Sequence, residues 1–190
     1  MGRMNRLGAI VCLLAAAPTL AESRPIDTAR SQLTVLAYKS GLFSGLAHDH
    51  VIRAPIAGGA LSADEPLSVE LTVRVASLEV LDPTLAEGKR AEVRTRMLSP
   101  EVLDAARFSE ISFRSTSIAP ESAERWKVTG DLRLRGVTRP TIFSVERKDG
   151  RYRGSVALLQ SAFGIAPISI AGGMVKVKNE VKIEFEIVVP

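Results

Sequence analysis

The sequence predicts an all-β fold: an eight-stranded antiparallel barrel with a short helical insertion between the third and fourth strands. Three observations predict it. The chain ends in EVKIEFEIVVP, where Val181, Ile183, Phe185 and Ile187 alternate with Lys182, Glu184 and Glu186. A period of two describes a strand with one apolar and one wetted face. Similar alternation recurs along the chain, punctuated by Gly, Pro and Asp turns, as in an antiparallel meander and unlike a parallel α/β sheet. A single segment, 84–106, breaks the rhythm with helix formers.

Taken from the N-terminus, residues 1–21 read as a secretory signal peptide. Arg3 and Arg6 precede the apolar run Leu7 to Ala17, and small residues end it at Ala21. The run is shorter than the roughly 20 residues a membrane span needs. Removing 21 of 190 residues leaves 169, numbered 22–190, a length expected to make one domain. The location expected is periplasmic or secreted. Cys12, the only cysteine, leaves with the signal, so the mature chain is expected to have no internal disulfide. Losing Arg3 and Arg6 takes 25 basic residues to 23, against 21 acidic ones. Charges this nearly balanced do not imply a nucleic-acid partner.

The expected strands are 31–38, 50–62, 67–75, 110–118, 128–135, 140–148, 151–161 and the C-terminal run. The clearest is 67–75, with Leu67, Val69, Leu71, Val73 and Val75 on one face and Ser68, Glu70, Thr72 and Arg74 on the other. Asp149-Gly150 is a two-residue hairpin signal. Gly136 to Pro140 and Asp64-Glu65-Pro66 supply further short connections. Gly58-Gly59 inside a strand suggests a bulge or sharp coil of the kind barrel corners need. Within 84–106, Glu92 and Arg96 stand at a favourable helical spacing, and Ser99-Pro100-Glu101 reads as the start of a second short helix. This insertion is expected to cover one mouth of the barrel.

The apolar faces could meet lipid, a second sheet or a closed interior. A membrane barrel needs aromatic girdles, and the chain has one Trp and two Tyr, with mixed charges along its polar faces. A sandwich shows the same alternation, whereas about eight meander strands favour closure. With only six Phe besides, the walls are mainly aliphatic and compatible with an open lumen.

Several stretches in order resemble the YceI-like family. They are Ser31-Gln32-Leu33-Thr34-Val35, KSGLFSGLAHDH (39–50), VELTVRVASL (69–78), MLSPEVLDAARFSEISF (97–113), VTGDLRLRGVT (128–138) and Phe163-Gly164-Ile165. The resemblance covers about 30–190. Two departures stand out: no Arg shortly precedes Phe163, and Ser109 replaces a Pro after the aromatic. The resemblance implies a lipocalin-like barrel, an extracytoplasmic location and binding of an isoprenoid or other apolar lipid. Val69, Leu71, Val73, Phe113, Leu132, Leu134, Ile183 and Phe185 are expected to line the lumen, and Phe163 and His48 complete the ligand-contacting set.

Other chemistry is thinly represented. His48 and His50, the two histidines, would share a strand face and could chelate a metal as part of an enzyme. No third ligand is evident, so no metal, cofactor or catalytic residue is assigned. Gly41-Leu42-Phe43-Ser44-Gly45 places its Ser one position late for a nucleophile elbow. Lys89, Arg90, Arg94 and Arg96 make a basic helix stretch, read as a solvated face or a transient membrane-surface contact. A filled core serving protein interaction, or a homodimer, is the remaining alternative.

Overall fold

The computed structural model describes residues 23–40, 49–170 and 175–190. The expected signal peptide, the Gly41–Gly45 motif and His48 lie outside them. Its strands in chain order are β1 (Ser23–Pro25), β2 (Gln32–Ser40), β3 (His50–Arg53), β4 (Ile56–Ser62), β5 (Ser68–Arg74), β6 (Glu79–Val80), β7 (Glu110–Ser122), β8 (Arg125–Leu134), β9 (Val137–Lys148), β10 (Arg151–Leu159), β11 (Ser169–Ile170) and β12 (Val175–Val188). One helix, α1 (Glu87–Leu98), sits between β6 and β7. The hydrogen-bonded order is β1-β4-β5-β7-β8-β9-β10-β12-β2-β3-β6, and every described pairing is antiparallel.

The count of twelve exceeds the expected eight for two reasons. The stretch 50–62 is broken at Ala54-Pro55 into β3 and β4, and three very short strands, β1, β6 and β11, are added. That break is what curls the sheet. β3 pairs with β2 and β4 pairs with β5, so one continuous chain segment bridges the two sides. Pro55 has no N–H to give to a ladder, and the register slips between Ile56 and Gly58. Gly59 allows the strands to approach closely here. A Cβ there would lie 2.4 Å from the carbonyl oxygen of Glu70 and 2.8 Å from Ile26 Cδ1.

One turn forms as expected and another is tighter than its sequence suggested. Asp149 and Gly150 both have positive φ, 52° and 71°, as a two-residue hairpin of the primed type requires. Arg135 and Gly136 do the same at 50° and 75°. The connection expected over Gly136 to Pro140 is therefore the pair Arg135-Gly136, and residues from Val137 onward belong to β9. Arg135 holds its unusual backbone by donating to the carbonyls of Gly164 at 2.6 Å and Pro100 at 3.0 Å.

α1 forms as expected, but its partners differ. Glu92 pairs with Lys89, and Arg96 pairs with Glu101. The second helix does not form. Residues 99–107 make a series of turns, because Val102 and Leu103 are both buried side by side and Asp104 takes φ 50°, which no helix continues.

Candidate functional site

Inside the curled sheet is a cavity of about 380 Å³, lined from all eight long strand segments and from α1 and the turns after it. Alternation builds it. Val69, Leu71 and Val73 of β5, Phe113 of β7, Leu132 and Leu134 of β8, and Ile183 and Phe185 of β12 all line the wall, together with Phe163 from the turn after β10. These nine expected positions converge on one space, whereas His48 lies outside the described residues. Val69, Leu71, Leu134, Ile183 and Phe185 are only half-buried although they point inward, since the lumen is not filled by side chains.

The wall is apolar in chemistry as well as in composition. Three of its polar members are satisfied within the protein: Ser62 Oγ donates to the carbonyl of Asp64, Thr141 Oγ1 to that of Arg139, and Gln160 Nε2 to that of Lys178. One end is floored by Met97, Val102, Leu103, Phe163 and Ile165, all buried. This is the mouth the helical insertion was expected to cover. At the other end the lining includes exposed Ala63, Ser68 and Arg147, so the cavity opens to the outside there.

Aromatic side chains are few, yet they concentrate in this space. Phe113, Phe143 and Phe185 form a chain of rings, with centroids 5.3 Å and 5.4 Å apart. On the adjacent strands Gly130 and Gly154 leave room for them: a Cβ would fall 2.4 Å from Phe113 Cζ and 2.5 Å from Phe185 Cζ respectively. Five neighbouring strands thus present Phe, Gly, Phe, Gly and Phe inward.

The outer face is charged and cross-linked. Arg114 pairs with Glu70 at 2.7 Å, Arg125 with Glu146 at 3.3 Å, and Arg153 with Glu186 at 2.6 Å, each across neighbouring strands. Glu186 is held below the usual carboxylate range by hydrogen bonds from Arg153 and then Arg151. Apolar inside and ionic outside is the reverse of a membrane barrel.

His50 has a structural role. Asp82, fully buried, sits 2.6 Å from His50 Nδ1 and accepts the backbone N–H of Val51 at 2.6 Å. This ties the start of β3 to the chain after β6. Asp49 instead accepts the backbone N–H of Lys39 at 2.9 Å. Among the described residues no cluster of three or more His, Cys, Asp or Glu could hold a metal. Asp82 was missed by sequence reasoning, since a carboxylate beside a proline gives no hint of burial. The basic stretch on α1 is likewise occupied. Arg94 donates to the carbonyls of Leu78 and Ala76, and Arg90 to that of Leu85.

Comparison with other proteins agrees with this architecture. A UPF0312 protein of Vibrio parahaemolyticus is 34% identical over 88 residues, covering 46% of this chain and 44% of that protein. One from Pseudomonas syringae pv. tomato is 38% identical over 85 residues, covering 40% and 44%. The matched region thus spans less than half the length of these relatives. Among solved structures, Burkholderia cenocepacia BcnA superposes with a TM-score of 0.66 at 18% identity, over 85% of this chain and 98% of that one. The Campylobacter jejuni YCEI protein gives 0.51 at 12% identity, over 98% and 93%. These likenesses speak to fold alone. The YceI-like domain pattern matches residues 25–189, nearly the whole described chain, and the protein therefore belongs to the YceI-like domain family.

Proposed function

We propose that this protein is a non-enzymatic carrier that holds a long apolar molecule, an isoprenoid lipid or quinone-like compound, in its lumen outside the cytoplasm. The observation that supports this reading is the continuous apolar cavity of about 380 Å³, within the roughly 300–1,000 Å³ range of small-molecule sites. Magnitudes favour a long chain. Each buried methylene contributes about 0.8 kcal/mol, so a five-carbon prenyl unit contributes at most roughly 4 kcal/mol. Association costs on the order of 4–15 kcal/mol, and micromolar affinity requires about 8 kcal/mol net. A single short alkyl group falls short, whereas several isoprene units suffice.

Native mass spectrometry of gently purified protein tests this. A co-purifying lipid mass, or loading by prenyl alcohols of graded length with affinity rising with chain length, is the expected result. Repeated failure to find or load any prenyl lipid would overturn the carrier reading in favour of a protein-interaction role.

A further inference from the structure

Among the residues that line the cavity a single side chain carries a formal charge, and it stands at the open end. Arg147 lies on the inward-facing register of β9, two residues before the Asp149-Gly150 turn, and is exposed. It is directly opposite Tyr152 on β10. Its guanidinium carbon sits 5.9 Å from the centre of the Tyr152 ring. The Tyr152 and Trp126 rings are 6.1 Å apart, and both also line the cavity. Nearby Arg125, Arg151 and Arg153 are paired with glutamates, and Arg139 on the same strand donates to the carbonyl of Ala162. Among the described residues Arg147 has no carboxylate at ion-pair distance; its guanidinium has a ring face instead.

At the open end the Arg147 head stays in water while its stem lies against the lumen wall, which leaves a cation uncompensated by any carboxylate at the rim of an apolar cavity. A guanidinium held over an aromatic ring keeps its donors free for a planar, two-pronged contact with a phosphate or carboxylate. Tyr and Trp beside it suit a boundary that is apolar below and wet above. We propose that Arg147, framed by Tyr152 and Trp126, is a head-group site at the mouth, and that the ligand is an amphiphile whose chain fills the lumen and whose anionic head, a phosphate or carboxylate, meets this guanidinium. This rests on the carrier reading and adds the head to the tail.

The test compares geranylgeranyl phosphate with geranylgeraniol, which share one chain, by titrating the fluorescence of Trp126, the only tryptophan of the chain. Wild-type protein is expected to bind the phosphate about three- to tenfold more tightly, the range for a charge-assisted contact at a wetted rim, and added salt should shrink that preference. R147A and R147Q should each abolish it by weakening the phosphate alone, leaving the alcohol unchanged and the circular dichroism native; R147K should keep part of it. Equal affinities in the wild type, or a preference that survives in R147Q, would sink the head-group site while leaving the lumen reading intact. Inorganic phosphate competing as well as the prenyl phosphate would identify a free-anion site and overturn it too. Binding of neither probe would overturn the carrier reading and this assignment together.

Discussion

Gly130 illustrates how single residues shape the lumen. It occupies an inward position of β8 between Val128 and Leu132, and its missing side chain is where the Phe113 ring lies. Substituting Ala would place a methyl 2.4 Å from Phe113 Cζ and 2.5 Å from the carbonyl oxygen of Arg114, a backbone atom that has little room to move. Overpacking of this kind costs about 1–3 kcal/mol. G130A is therefore expected to lower the unfolding free energy measured in urea by that amount, and an unchanged value would show that the ring swings aside without cost. The ring was expected to face inward from its alternation. That it fills the space left by Gly130 was not legible, because strand-to-strand register brings them together.

At the scale of elements, α1 stays on the barrel through its arginines more than through an apolar stripe. Met97 is its single buried residue, while Arg94 donates to two carbonyls just beyond β5, those of Ala76 and Leu78. Losing those contacts and the packed stem is expected to cost roughly 1–2 kcal/mol in R94A, seen as earlier thermal unfolding and faster hydrogen exchange over 87–98. No change in either would mean the helix is held by the apolar contacts of Met97, Val93 and Leu98. Sequence composition placed this helix well, because helix-forming residues act locally. It misjudged the stretch after Ser99, where tertiary burial of Val102 and Leu103 overrode a local start signal. The hairpins fared better, since Asp149-Gly150 carries its turn geometry in its own backbone preferences.

For the molecule as a whole, the open lumen separates a carrier from a filled core. A tryptophan at Val69, half-buried and near the exposed end of the wall, should enter unfilled volume. V69W is expected to keep its melting temperature within about 4 °C, the effect of roughly 1 kcal/mol in a chain of this size, while losing measurable uptake of geranylgeraniol. Undiminished uptake would mean the chain lies elsewhere. The amino-acid order by itself determined the main strands, the polarity of their faces, the position of the helix and eight of the wall residues, because alternation and turn chemistry are local and repeat on a two-residue period. Phe163 came from the family resemblance. Only the tertiary structure decided that the sheet curls at Ala54-Pro55, that Asp82 is buried against His50, and that Arg147 stands with Trp126 and Tyr152 at the mouth. The apolar face of β9 carried a trace of the last, since Arg147 shares a side with Phe143 and Val145. Its meaning depended on register between strands far apart in the chain, a quantity set by closure of the whole sheet and not by any neighbour in sequence.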